Sequence, residues 1–191
     1  MPTRAETSAA TRRALLDAAA ALLDTGGPDA VTLREVGARA GVSRSAPYRH
    51  FDDKERLLTW VAIEAWHKVG DILEALANHH DTPPEQSLRR ALLALIKIGR
   101  TRPHLYRLMF ITPDTDPTAV AHAAERTQDL FLTIVSQVVG PDQARQYGGL
   151  LLASAHGITS LELSGHLAVD KWQASAEELV ELLISRLPHT P

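Results

Sequence analysis

The sequence has 191 residues, and its 20 lysines and arginines against 23 acidic residues give a formal charge of −3. A chain with this balance does not bind nucleic acid through bulk positive charge, so any basic surface must be local. Hydrophobic residues make up 45% of the chain and cysteine is absent, which indicates a globular protein with a core and excludes disulfides, thiolate nucleophiles and cysteine-ligated metal sites.

The hydrophobic pattern predicts an all-α protein without membrane spans. Apolar residues recur at intervals of three and four along most of the chain, and no alternating run predicts a strand. The longest apolar runs, 18–23 and 91–96, have six residues each, whereas a membrane span needs about 20. We therefore expect no membrane partner, a cytoplasmic location and about nine helices.

Three short helices are predicted at the start of the chain. The first begins near Ser8 as N-cap and ends at the Gly26-Gly27-Pro28 stop signal. Thr32 and Glu35 have the spacing of a capping box, which starts a second helix that ends at Gly41.

The third helix follows at once, with Ser43 as its predicted N-cap and its end near His50. Two short helices joined by a tight turn with a glycine are the geometry of a helix-turn-helix, whose second helix enters the major groove of DNA.

A long helix follows, and the capping-box spacing of Asp52 and Glu55 predicts its start. Its roughly 25 residues extend nearly 40 Å at ~1.5 Å per residue, enough to join two domains. We expect a helix-turn-helix domain over 1–52 and a helical bundle over 53–191, which binds an effector and forms the dimer. Helix-breaking Pro, Gly and polar turn residues, together with the helical periodicity between them, predict the remaining helices near 85–100, 103–111, 118–139, 142–166 and 175–187.

The helix-turn-helix carries a local positive charge. Between residues 30 and 50 there are four arginines and one acid, Glu35, a net +3 within a chain of net −3. Phosphate contacts need such a patch. Ser43, Arg44 and Ser45 would occupy the first turn of the recognition helix, where arginine can read guanine through its O6 and N7.

Several motifs here resemble the DNA-binding signature of the tetracycline-repressor (TetR) family. They are the segments 31–37, 40–43, 48–51 and 54–58, reading VTLREVG, AGVS, YRHF and KERLL. Pro47 departs from that signature, because the family more often has an unbranched or aliphatic residue there. The resemblance implies phosphate clamping by five residues: Thr32, Ser43, Tyr48, His50 and Lys54. The complete predicted DNA-binding set adds Arg34, Arg44, Ser45 and Pro47 to these five.

The stretch 155–165, AHGITSLELSG, resembles the second domain of one TetR subgroup, with an HG motif of the WHG type. This resemblance implies a homodimer with a small-molecule pocket in the second domain. Small residues on one helix and an apolar seam on the last helix support a four-helix dimer interface. We expect this interface to include Ser154, Gly157, Leu161, Leu179, Val180 and Leu183.

Large aromatic side chains and two histidines in apolar helices are candidates for an effector pocket, although large residues at helical spacing more often form core. The candidates are Trp66, His67, Tyr106, Phe110, Phe131 and His156.

The cluster His79-His80-Asp81 lacks a metal-binding motif. Surface exposure at a helix end is therefore the favoured interpretation, and no metal or cofactor is expected.

These observations predict a homodimeric transcriptional regulator, a repressor that a small-molecule effector releases from an inverted-repeat operator in double-stranded DNA. One alternative is a helical small-molecule-binding or adaptor protein without DNA binding, against which the complete phosphate-clamping set argues. An enzyme is the remote alternative, because the sequence contains no nucleophile elbow, phosphate-binding glycine loop or paired-carboxylate motif.

Overall fold

The computed structural model describes residues 3–79, 81–111 and 116–188. Every regular element within these ranges is helical, which confirms the all-α prediction. A single-turn helix after residue 168 was not predicted and brings the number of α-helices described to ten. The α-helices are α1 (Arg4–Gly26), α2 (Leu33–Arg39), α3 (Ala46–His50), α4 (Lys54–Ala77), α5 (Pro84–Thr101), α6 (Pro103–Met109), α7 (Pro117–Val139), α8 (Pro141–Leu163), α9 (Val169–Trp172) and α10 (Ala176–Ser185), with a 3-10 turn at Pro28–Ala30.

The chain divides into two compact units, and it passes from one unit to the other within α4, at the start of α6 and within α7. The first unit comprises Met1–Ala65 and His104–His122, and the second comprises Trp66–Pro103 and Ala123–Pro191. α4 therefore contributes its first half to one unit and its second half to the other. The assignment of DNA binding to 1–52 and of effector binding and dimerisation to 53–191 stays a prediction.

Two predicted helix starts are wrong by a few residues, and local capping explains both. α1 begins after Thr3, whose hydroxyl accepts the Glu6 amide while the Glu6 carboxylate accepts the Thr3 amide at 2.6 Å. This reciprocal pair outcompetes Ser8, which has no acidic residue three positions later. α4 is capped by Asp53, which accepts the Arg56 amide at 2.7 Å, in place of Asp52.

The first unit packs α1, α2, α3 and the start of α4 around a closed core. Its central side chains, which include Leu15, Val36 and Phe51, are at most 1% exposed. The Arg12 guanidinium carbon lies 4.1 Å from the ring centroid of Trp60 and 5.4 Å from that of Phe51. Arg12 therefore adds a cation–π contact to the edge of this core.

The second unit is built on α5 packed against α8, with α10 against both. Leu88, Leu92 and Leu151 are almost completely buried there. At the surface, Arg100 of α5 forms ion pairs with Glu162 of α8 and Glu177 of α10, at 2.7 Å and 2.5 Å. These hydrogen bonds from Arg100 lower the pKa of Glu177 to about 2.

The start of α10 follows the capping-box geometry, with Ser175 as N-cap and Glu178 at the reciprocal position. The backbone and hydroxyl of Ser175 both donate to the Glu178 carboxylate, which lowers the pKa of that group. Across the parts of the chain that the structure describes, no helix combines the length and the hydrophobicity that a membrane span requires.

Candidate functional site

The turn between α2 and α3 has the geometry that the sequence predicts. At the start of α2, the Thr32 hydroxyl accepts the Glu35 amide at 3.1 Å. This is one half of the predicted capping box, and the return bond from the Thr32 amide to the Glu35 carboxylate is absent between these two described residues. At the other end, the Gly41 amide donates to Ala38 and the Val42 amide to Gly37, both at 3.2 Å. With Gly41 at φ 67°, this is a Schellman motif, in which glycine adopts the left-handed conformation at low cost.

The start of α3 differs from the prediction. The N-cap is Ser45, and no side chain caps this end. The Ser43 carbonyl accepts the Ala46 amide at 2.9 Å, in a turn that precedes the helix. Pro47 explains the shift, because proline is tolerated in the first helical turn but costs a hydrogen bond deeper in the helix. Ser43 and Arg44 therefore lie before α3, outside its first turn.

Pro47 is buried, which corrects its prediction as a DNA contact. A Cβ atom built on Gly37 would lie 2.8 Å from the Pro47 Cγ. The proline ring therefore packs directly on the α2 backbone and sets the distance between the two helices. Its role is to position α3.

The other eight predicted DNA-binding residues are accessible. Tyr48 is 58% exposed, Lys54 and His50 are partly exposed, and the other five residues are exposed. Within the described ranges, Arg34, Arg39 and Arg44 make no ion pair, so their charge is available to an external anion. These accessible residues lie along α2, the turn before α3, α3 itself and the start of α4, and we refer to them together as the accessible surface: Thr32, Arg34, Ser43, Arg44, Ser45, Tyr48, His50 and Lys54.

A polar cleft beside this surface was missed by the sequence analysis. It has a volume of about 590 Å³ and is lined by residues of α1 and of the end of α3. We call it the α1–α3 cleft. It could not be found from spacing alone, since it joins segments that are some 40 residues apart. Its lining residues are Arg4, Thr7, Ser8, Thr11, Arg49 and His50.

The six candidates for an effector pocket do not come together in one compact unit. Tyr106 and Phe110 belong to the first unit, where their ring centroids are 5.0 Å apart. Trp66 and Phe131 are buried in the second unit. His67 of the same unit is exposed, which corrects its interpretation as a pocket residue in an apolar helix.

His156, the sixth candidate, is partly exposed on α8. Among the residues that the structure describes, no group of three His, Cys, Asp or Glu side chains could hold a metal ion. His80, the central member of the histidine cluster, lies outside the described residues.

An apolar groove runs between α8 and α10 of the second unit. It measures about 570 Å³, and we call it the α8–α10 face. Five of the six predicted interface residues line it, whereas Val180 is fully buried in the core, so its assignment to the interface is wrong. Leu182, 52% exposed, also lines the groove and was not in the predicted set. The lining residues are Ser154, Gly157, Ile158, Leu161, Leu179, Leu182, Leu183 and Arg186.

Two family models match the chain. Residues 15–60 match "Bacterial regulatory proteins, tetR family", and residues 88–187 match "Tetracyclin repressor-like, C-terminal domain". The second match covers the predicted dimerisation and effector region but does not confirm the HG-motif subgroup. A search of curated proteins gave no match.

Solved structures share the fold over almost the whole chain. A protein of unknown function from Rhodococcus sp. RHA1 is 26% identical with a TM-score of 0.76, and the match covers 92% of both chains. A TetR-family transcriptional regulator from Streptomyces coelicolor is 24% identical with a TM-score of 0.67, covering 94% of this chain and 98% of its own. The transcriptional regulator FadR from Bacillus subtilis, in complex with stearoyl-CoA, is 11% identical with a TM-score of 0.68, covering 91% and 95%.

Proposed function

The chain belongs to the TetR family of bacterial regulatory proteins, and from this premise we propose that it is a repressor. Two copies bind an inverted-repeat operator, and a small-molecule effector releases them. The observation that carries the proposal is the accessible surface on α2, α3 and α4, where arginines without an ion pair in the described ranges stand beside hydroxyl groups. Such a surface matches the charge and hydrogen-bonding needs of a DNA backbone.

Within this surface, the residues divide into two roles. Arg44 and Ser45 lie in the turn that leads into α3, and we assign them to base edges in the major groove. Thr32, Tyr48 and Lys54 contact phosphates and position the protein, together with Ser43, His50 and Arg34.

The two roles predict different mutational effects. Arg44→Ala should weaken binding to the specific site by about 1–3 kcal/mol and change binding to unrelated DNA much less. The test is selection of a site from a random duplex pool with the wild-type protein, followed by fluorescence anisotropy on the selected and an unrelated duplex. Equal losses on both duplexes would make Arg44 a phosphate contact. Failure of the wild-type protein to enrich any sequence would contradict DNA binding and favour the adaptor alternative.

The α8–α10 face supports the homodimer. Leu161 and Leu182 are about half exposed, and no side chain within the described residues comes within 4 Å of a Cβ atom built on Gly157. Pairing two such faces would bury apolar surface that a lone subunit leaves in water, and the glycine allows a close helix approach.

Leu183 tests the dimer. Leu183→Glu would place a charge in a desolvated interface, so we expect monomers that keep their helical content but lose operator binding. Sedimentation measures the association state and circular dichroism the helix content. The control is Ser185→Glu, which adds the same charge at an exposed position of the same helix outside the groove. A dimeric Leu183→Glu protein, or a monomer that binds the whole operator with wild-type affinity, would contradict this assignment.

The effector proposal is supported by a ligand-bound protein of the same fold. FadR from Bacillus subtilis was crystallised with stearoyl-CoA, and three residues of the second unit here, the buried aromatic residues Trp66 and Phe131 with His156, are candidates for contacts with an effector. α4 carries Lys54 at its start and Trp66 further along, so it connects the two functions. A ligand that prefers the non-binding conformation would reduce operator affinity by a coupling free energy of typically ~1–3 kcal/mol.

A further inference from the structure

The α1–α3 cleft is lined on one side by α1 and on the other by α3. One wall comes from the start of α1, where residues 4, 7, 8 and 11 follow helical spacing and share one face. The other wall comes from the last two residues of α3, Arg49 and His50. Both walls belong to the first compact unit.

The charge of the cleft is positive and uncompensated. Arg4, Arg49 and His50 supply its ionisable groups, and no acidic residue lines it. None of the three makes an ion pair within the described part of the chain. The carboxylate of the neighbouring Glu6 accepts the Thr3 amide at 2.6 Å, and hydrogen bonds from the backbone and side chain of Thr3 lower the pKa of this carboxyl.

One of the three hydroxyl groups in the cleft can complement the two arginines as a donor. Thr7 donates its proton to the Thr3 carbonyl at 3.0 Å and Thr11 donates its proton to the Thr7 carbonyl at 2.9 Å, so these two hydroxyls have no proton left for a ligand. Ser8 also lines the cleft, because the helix begins at Thr3 and Ser8 is not needed as a cap. Guanidinium forks and a hydroxyl donor are the groups that bind phosphate oxygens.

The position of the cleft selects its occupant. Arg49 and His50 follow Tyr48 on α3, and Tyr48 is part of the surface assigned to DNA phosphates. A duplex engaged by α3 therefore has phosphates near the end of the same helix. A site for a free phosphate ion would not need to lie next to the residues of α3 that are assigned to DNA phosphates.

We propose that the α1–α3 cleft binds a phosphate of the DNA backbone and extends the DNA interface to α1, with Arg4 as its principal contact. The proposal rests on the proposed DNA-binding function. It assigns a role to Arg4 and Ser8, to which the sequence analysis gave none in binding, and it makes Arg49 a phosphate contact.

The test compares two arginines of α1. Arg4→Ala removes a cleft residue, and Arg13→Ala removes the same charge from an arginine that pairs with Asp17 and Glu64 outside the cleft. Binding to a fluorescein-labelled duplex of unrelated sequence is measured by anisotropy over a series of salt concentrations. Removing one cation from a DNA phosphate makes the slope of log K against log salt shallower by about 0.9. We expect this change in Arg4→Ala and a wild-type slope in Arg13→Ala.

Conservative replacement sharpens the result. Arg4→Lys keeps the charge and should keep the salt slope, and circular dichroism verifies that each variant is folded. If Arg4→Ala and Arg13→Ala have the same slope and affinity while the wild-type protein binds DNA, the cleft is not a phosphate site and only this proposal is overturned. If the wild-type protein binds no duplex, both this proposal and the proposed function are overturned.

Discussion

Gly37→Ala tests whether direct contact between Gly37 and Pro47 sets the separation of α2 and α3. A Cβ atom at position 37 would lie 2.8 Å from Cγ and 3.4 Å from Cδ of the proline ring. Both residues are buried, and a proline ring cannot rotate away as a flexible side chain would. One of the two helices must therefore move by several tenths of an ångström.

Two opposing effects determine the magnitude. Replacing glycine by alanine inside an unobstructed helix stabilises the protein by roughly 0.8–1.0 kcal/mol. Inserting a methyl group into a packed contact costs about 1–3 kcal/mol. Because the obstacle is rigid, we expect a net loss of about 1 kcal/mol in the free energy of unfolding. Ala38→Gly, at the exposed neighbouring position of α2, measures the propensity effect alone and should cost about 1 kcal/mol.

Urea denaturation followed by circular dichroism gives both free energies. In the double variant, Pro47→Ala removes the obstructing ring, so the two substitutions should couple by 0.5 kcal/mol or more, within the range of about 0.5–3 kcal/mol found for residues in contact. DNA affinity of folded Gly37→Ala should also fall, because α3 is displaced. A stabilising Gly37→Ala, or strict additivity with Pro47→Ala, would refute the packing argument.

Two further predictions each concern one charged contact, the first in the first unit and the other in the second unit. Arg12→Met keeps the aliphatic stem but removes the cation above Trp60, so unfolding in urea should show a loss of about 1 kcal/mol; an unchanged midpoint would contradict the cation–π contact. Glu177→Gln removes a carboxylate whose folded pKa is about 2 against an ordinary value of 4.5. Because this contribution is present above the unfolded pKa, the variant should be less stable at pH 7 by about 1 kcal/mol after solvent screening. The difference should shrink as the pH falls below about 4.5, and a constant difference would contradict the ion pair.

Helix ends were predicted correctly from the sequence where a single local interaction determines them. Gly41 was identified from the sequence because a positive φ at a helix end has few other solutions. Ser8 and Ser43 were wrong for one shared reason: each is a good cap in isolation, but a neighbour offers a better start. For α1 the neighbour is the reciprocal Thr3–Glu6 pair, and for α3 it is the preference of Pro47 for the first turn.

Features that depend on tertiary packing were predicted less well. An apolar seam does not reveal which of its members faces inward, since neighbouring residues on a helix differ by about 100°. Val180 was therefore assigned to the interface although it is buried, and Leu182, which lines the α8–α10 face, was left out of the predicted set. The α1–α3 cleft combines side chains from two helices, and no sequence spacing encodes that meeting.

The short length of α3 links the stability of the first unit to DNA recognition. α3 has five residues, too few to be stable as an isolated helix, so its conformation depends on packing. Ala46, Pro47 and the following Phe51 are buried, while Tyr48 and Arg49 between them are exposed. The same one and a half turns thus hold the inward contacts that fix the helix and the outward groups assigned to DNA. It follows that a substitution on the buried side can weaken DNA binding without touching DNA, so folding stability has to be measured beside affinity for every variant of this helix.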